Sequence, residues 1–254
     1  MDDRLPSSDN GSPWLPFESR RRARDEKREA VLRMAVRLFL EQGYHRTTLN
    51  EVAERLNITK PALYNYFRGK DEILFECWAI GNERVVDCIN EIASGGGTGL
   101  AKLRKLIVGY AEVMSTDYGK SLVRFDVRDL TDHNRKIVNA AKKRIDRAFR
   151  DYIAEGLADG TVRPCDPKLA AFAIAGSLNW IGHWFLPGGP MPADAIAEEF
   201  AIRLTEGIAR PSMRKKVDKP PGKGRTSRED RGEHHARTAA RAADQSKRAR
   251  HRLR

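Results

Sequence analysis

The sequence predicts an all-α protein, three short helices followed by six longer ones, and three observations carry that expectation. Apolar residues recur at helical spacing through most of residues 25–209. No segment alternates with period two, and the periodic runs are separated by capping residues, glycines and prolines.

The first helix is expected from Asp25, because Val31, Ala35, Leu38 and Phe39 fall on one face and Gly43 supplies a C-terminal stop. Thr48 with Glu51 three residues later makes a capping box that starts a second helix through Val52, Ala53 and Leu56. After the tight Asn57-Ile58 connection, Thr59 is the next N-cap and Pro61 sits in the first turn of a third helix running through Phe67. A long helix follows over about Asp71–Ala93, stopped by Ser94-Gly95-Gly96-Gly97. Further helices are expected over Leu100–Met114, Gly119–Leu130 and Asn134–Leu157. In the last, Ile137, Ala141, Ile145, Ala148, Phe149 and Tyr152 form one stripe. The nearly all-apolar stretch Lys168–Phe185 and the run Ala193–Ala209, with Ile196, Phe200, Leu204 and Ile208 spaced by four, complete the set.

Length and charge bound the function. The 254 residues allow one or two domains, with 47 Lys+Arg against 35 Asp+Glu giving a formal +12. Residues 211–254 alone carry +10, leaving +2 for residues 1–210, so any binding of nucleic acid by the body must come from a local arrangement of residues and not from overall charge. That segment contains Pro220-Pro221 and few large apolar side chains, and it is expected to form a disordered basic tail. Residues 1–24, rich in Pro, Ser and Arg and without an apolar run, are expected to be a mobile arm rather than a signal peptide. Cys77 and Cys88 are 11 residues apart in one expected helix, about 16 Å and beyond disulfide reach. Together with Cys165 they suit a reducing, cytoplasmic setting. The Leu169–Leu186 stretch contains Ser177, Asn179 and His183 and reads as a buried helix, not a membrane span.

Enzymatic chemistry finds no foothold. Gly119-Lys120-Ser121 ends like a phosphate-binding loop, but Met114 stands where that loop needs glycine. His133 and His183 have no partner at ligand spacing, so no metal is expected, and His234-His235 lie in the basic tail. No nucleophile is paired with a base, and neither an enzyme nor a cofactor is expected.

The informative constellation is the second and third helices with their tight turn. In the third, Leu63 and Phe67 are four apart and face inward, turning Lys60, Tyr64 and Asn65 outward, a geometry that suits insertion of one helix into a DNA major groove. Thr59, Lys60 and Asn65 are the candidate base readers: lysine donates to guanine, and asparagine pairs bidentately with adenine. Thr48, Tyr64, Tyr66 and Lys70 are candidate phosphate contacts, with the N–H groups at the helix start beside them. Tyr64 or Tyr66 as a core aromatic is the alternative. Residues 30–76 resemble the DNA-binding domain of the tetracycline-repressor (TetR/AcrR) family. The motif is Ala35-x-x-Leu38-Phe39-x-x-x-Gly43-Tyr44-x-x-Thr47-Thr48, then Val52-Ala53-x-x-Leu56, then Ile58-Thr59-Lys60-x-x-Leu63-Tyr64-x-Tyr66-Phe67-x-x-Lys70.

The resemblance implies a helix-turn-helix domain over 25–71 and a six-helix effector-binding and dimerisation domain over 72–210. It implies a repressor released from a palindromic operator by a small inducer, with the last two helices pairing in a homodimer. Ala171, Ala175 and Gly182 would allow close helix approach, and Trp180, Trp184 and Phe185 would add apolar area. Trp78, Tyr110, Met114, Phe125, Phe149 and Tyr152, with Cys77, are either ordinary core or the walls of an apolar pocket for a largely apolar effector, an acyl-CoA among the candidates. Arg124 and Arg128 read as a solvated helix face, with pairing to an anionic head group of the effector as the alternative. The rival reading is a non-specific or architectural nucleic-acid-binding protein driven by the basic tail.

Overall fold

The computed structural model describes residues 17–208, and within them every regular element but one 3-10 turn is an α-helix. The basic tail and residues 1–16 of the expected arm lie outside the described residues.

Helix α1 spans Phe17–Gln42, eight residues longer at its start than the sequence reading allowed. Residues 17–24 therefore belong to a helix, not a mobile arm. Arginine is a good helix former, and this segment has no proline after Pro16 to stop it. Val31, Leu32, Ala35, Val36, Leu38 and Phe39 bury one side of α1, and Gly43, at φ 92°, takes the left-handed conformation that ends it. Helix α2 (Leu49–Arg55) starts where the Thr48 hydroxyl accepts the Glu51 N–H at 3.2 Å. Asn57, at φ 53°, makes the tight turn. Helix α3 (Lys60–Tyr64) starts at Thr59, whose hydroxyl accepts the Ala62 N–H at 3.4 Å. It ends three residues before the expected Phe67, because the N–H groups of Asn65 and Tyr66 bond three residues back, to Ala62 and Leu63, and tighten the last turn.

Helices α4 (Lys70–Ser94), α5 (Gly99–Met114), α6 (Asp117–Arg124), α7 (Asp132–Ala158), α8 (Pro167–Trp184) and α9 (Ala193–Glu206) form the larger bundle. The central element is α5, packed on α4, α6, α7, α8 and α9, with Leu103, Leu106, Ile107, Ala111 and Met114 fully buried. The expected Gly119–Leu130 helix is split. It stops at Arg124, Phe125 is extended, and Asp126 caps a single 3-10 turn over Val127–Asp129 by accepting the Arg128 N–H. On α7 Ile145, Ala148, Phe149 and Tyr152 are buried as expected, but at the start of the stripe Val138 faces inward in place of Ile137, which is exposed. Gly81 lets α4 cross α6 closely, since a Cβ there would collide with the Tyr118 backbone. Among the described residues no helix is long and apolar enough to cross a membrane.

Candidate functional site

Two features face solvent with functional chemistry: the polar side of α3 and a cavity inside the larger bundle. On α3, Leu63 is fully buried and Phe67 just beyond it is 1% exposed, which fixes the helix from behind. Lys60, Asn65 and Tyr64 stay exposed, Tyr64 at 47%, so of the two tyrosines this one is no core aromatic. Thr48 and Thr59 are exposed as well, and each hydroxyl oxygen accepts one capping N–H of its helix, which leaves the hydroxyl proton free to donate outward.

Tyr66 and Lys70 are placed differently. Tyr66 is half-buried against the core. The Lys70 ammonium donates to the Thr47 carbonyl at 2.8 Å and the His45 carbonyl at 3.4 Å, and lies 4.2 Å from the centre of the Tyr44 ring. Burial lowers its pKa, with Asp129 opposing. In this structure Lys70 braces the loop between α1 and α2 instead of presenting a free cation. The same loop is held by Gln42, whose amide donates to Glu51 at 2.7 Å, and by buried Thr47, which donates to the Gly43 carbonyl at 3.0 Å. Sequence reasoning missed these braces, since nothing local marks a Gln42–Glu51 pair nine residues apart.

The cavity, about 490 Å³, lies among α4, α5, α6, α7 and α8. Of the expected walls, Trp78, Tyr110 and Phe149 line it, with the Tyr110 and Phe149 rings edge-to-face at 5.6 Å. Met114, Phe125 and Tyr152 do not line it. Met114 is fully buried in the bundle, Phe125 packs edge-on against Phe39 of α1, and Tyr152 donates to the Ile89 carbonyl. Cys77 is likewise a core residue, its thiol directed at the Leu32 carbonyl. Arg124 and Arg128 stand away from the cavity: Arg124 donates to the Leu40 carbonyl at 2.8 Å, and Arg128 pairs with Asp126.

Polar groups punctuate the apolar walls. The Tyr110 hydroxyl donates to Asn179 Oδ1 at 2.7 Å, and burial pushes the Tyr110 pKa well up, so the phenol stays a donor. The Trp78 indole N–H is buried with no partner among the described residues, and its side chain lines the wall. At the rim stand Lys142, Asp146 and His183. Lys142 is exposed as a residue, yet desolvation among the walls lowers the pKa of its ammonium, with Asp126 pulling the other way.

Asn179 and His183 escaped the sequence reading because α8 was assigned wholly to a dimer interface. It carries three stripes. Ala171, Ile174, Leu178, Ile181 and Gly182 face the protein's own core; Phe172, Ala175, Asn179 and His183 face the cavity; Leu169, Ala173, Gly176, Trp180 and Trp184 face outward. The small residues expected at an interface are therefore corrected. A Cβ on Gly182 would meet Val123 of α6 at 2.7 Å, Ala171 is buried and Ala175 lines the cavity, whereas Ala173 and Gly176 are the small residues of the outer stripe. Phe185 is also buried, and on α9 Ile196 is buried with Phe200 and Leu204 partly covered by the core.

Comparison with known proteins agrees with this geometry. Residues 31–77 match the model of bacterial regulatory proteins of the tetR family, and residues 96–208 match the tetracyclin repressor-like C-terminal domain. The transcriptional repressor KstR2 of Mycolicibacterium smegmatis is 22% identical over 187 residues, covering 72% of this chain and 90% of the relative. The transcriptional regulator HbdR of an Aromatoleum species is 25% identical over 167 residues, covering 63% and 71%. Among solved structures, KstR2 of Mycobacterium tuberculosis superposes with a TM-score of 0.68 at 21% identity, covering 72% of this chain and 95% of its own. AibR in complex with isovaleryl coenzyme A and operator DNA superposes at 0.63 and 22% identity, covering 72% and 97%. These structural likenesses carry the fold. The two family matches lie in consecutive segments that take in both the α2–α3 pair and the cavity-bearing bundle, and the chain belongs to the tetR family of bacterial regulatory proteins.

Proposed function

We propose that the protein is a homodimeric repressor that reads a palindromic operator through α3 and is released when a small, largely apolar effector fills the cavity. The observation that carries the DNA half is the division of α3: Leu63 sealed behind it, Lys60, Tyr64 and Asn65 open in front. The outer stripe of α8 supports the dimer, since Trp180 is 62% and Leu169 67% exposed, and one short helix contacts too little DNA for useful specificity by itself.

The path from cavity to reading head runs through α6. Leu122 and Val123 line the cavity, and the next residue, Arg124, holds the Leu40 carbonyl near the end of α1. An effector that binds better to a displaced α6 shifts the heads away from operator spacing by that difference in affinity. For the effector itself, the apolar walls suit an acyl or ring body, the buried Trp78 N–H suits a carbonyl oxygen, and Lys142 at the rim suits an anionic extension. An acyl thioester has those parts, and the structurally similar AibR was solved with isovaleryl coenzyme A.

Selection of bound fragments from a random DNA pool tests the reading: a two-fold symmetric motif is expected, and a pool without a shared motif overturns it. On the recovered operator, Lys60→Ala should cost about 10- to 100-fold in affinity and flatten base preference at one position of each half-site. Phe149→Ala should enlarge the cavity, lower stability by about 3 to 5 kcal/mol, and move thermal-shift responses in an acyl-coenzyme A series toward bulkier acyl groups. An unchanged ranking would remove Phe149 from the effector site.

A further inference from the structure

The first turns of α1 repeat the face of the helix that carries its core. Val31 and Leu38 lie on the inward stripe of α1 and are almost fully buried; continued back at helical spacing, that stripe is occupied by Lys27, Arg24 and Arg20, all exposed. The helix thus runs past the body it packs on. It is anchored at Arg28, which pairs with Glu76 of α4 at 2.7 Å and lies 4.8 Å from the centre of the Phe67 ring. Beyond that anchor, residues 17–27 extend for about 16 Å. Arg20, Ala23, Arg24 and Lys27 share a groove of about 530 Å³ with Asn65 and Tyr66, the residues at the end of α3. The two sides of this overhang differ in charge. Around the opposite side, Arg21 and Arg22 stand among four carboxylates, Glu18, Asp25, Glu26 and Glu29, so that side is net acidic, whereas the stripe beside α3 carries three cations at i, i+4 and i+7 and no acid.

We propose that this overhang is a second DNA-contact element, in which Arg20, Arg24 and Lys27 bind backbone phosphates of the strand flanking the base pairs met by α3. The proposal rests on the reading of α3 as the helix that enters the major groove, which sets DNA beside Asn65. The chemistry is that of guanidinium and ammonium groups on phosphate oxygens, giving affinity without base preference. At 3.4 Å per phosphate along one strand, an element of this length spans the phosphates of about four or five base pairs. Lys70 is withdrawn to brace a loop, whereas this stripe sets three exposed cations in one groove with the end of α3.

The test is fluorescence-anisotropy binding of the full chain to its selected operator and to a scrambled duplex, over a series of KCl concentrations. The Arg20→Ala/Arg24→Ala/Lys27→Ala variant should lose at least about tenfold in affinity for both duplexes. Its slope of log affinity against log salt should be shallower by about 2.7 per head, or about 5 for a dimer. The ratio of operator to scrambled binding should stay within about twofold. The Arg21→Ala/Arg22→Ala variant, which removes charge from the other side of the same turns, should change the slope by less than about 1 per head. Alanine favours helix, and circular dichroism checks that α1 persists. An unchanged slope in the triple variant overturns the proposal, and so does an equal effect per charge from the Arg21/Arg22 pair, which would mean bulk charge and no defined contact. Failure of the α3 reading is distinguishable: the wild-type protein would then show no preference for any duplex, with the slopes still measurable on scrambled DNA.

Discussion

Phe67→Ala should remove DNA binding while leaving the effector cavity able to bind. Phe67 is 1% exposed, seated behind the end of α3, with the Arg28 guanidinium over its ring. Truncation removes an aromatic side chain from the small core that α1, α2 and α3 share, at a cost of about 3 to 5 kcal/mol. Whole domains of this size hold about 5 to 15 kcal/mol in total, so such a loss consumes most of the reserve of the reading head. The Arg28 stack and the Leu63 backing of α3 go with it. Urea unfolding followed by tryptophan fluorescence should show an earlier first transition, and operator affinity should fall at least about 100-fold at physiological temperature, recovering in part on cooling. Lining residues of the cavity belong to α4 through α8, so a ligand-induced thermal shift should survive. A variant with wild-type midpoint and wild-type operator affinity would mean that Phe67 does not hold α3 in place.

Trp180→Glu should dissociate the dimer. Trp180 sits at the middle of the outer stripe of α8, between Gly176 and Trp184, stacked on His183 at 5.0 Å. Along the same outer stripe the other exposed bulky groups are Leu169 toward one end and Trp184 toward the other, and Leu186 beyond the helix is 73% exposed. A two-fold axis brings each such stripe against its own copy, so one carboxylate per chain becomes two in an apolar seam, each costing several kcal/mol to desolvate. Light scattering should report a monomer at micromolar concentration. A single head then binds its half-site alone, and operator affinity should drop about 100- to 10,000-fold with the selected base preference intact within each half-site. A dimer that persists in the Trp180→Glu protein would move the interface elsewhere.

The all-α class was legible from the apolar spacing, and the starts of α2 and α3 from Thr48 and Thr59, each of which caps its helix with a side-chain oxygen; Thr98, Thr116 and Asp166 cap α5, α6 and α8 in the same way and are not among the expected caps. Inward positions of α3 were legible for the same local reason, the four-residue step from Leu63 to Phe67. Three things were not. The length of α1 was hidden because a basic, proline-preceded segment reads as unstructured until its anchor, the Arg28–Glu76 pair 48 positions apart, is seen. Lys70 reads as a surface cation, and only the fold brings the Thr47 carbonyl to it. The cavity walls were half legible: an aromatic residue at helical spacing looks the same whether it faces a void, as Phe149 does, or a neighbour, as Phe125 does. Asn179 and His183 carried a signal in being polar within an apolar helix, and it pointed to the right place once α8 was seen to have three sides.

The seam between α1 and α4 has a chemical consequence. The Cys77 thiol is enclosed there beside the Leu32 carbonyl, and burial raises its pKa far above that of a free thiol, so it holds its proton and stays out of reach of oxidants and electrophiles. Cys88 and Cys165 are only partly covered. Cys165 is therefore expected to meet peroxide or maleimide first, Cys88 to react more slowly because partial burial raises its pKa as well, and the seam between α1 and α4 to stay chemically intact. A distance reporter can then be attached at a cysteine introduced on the exposed side of α1 after replacing only those two, with the native sulfur of Cys77 left where it is.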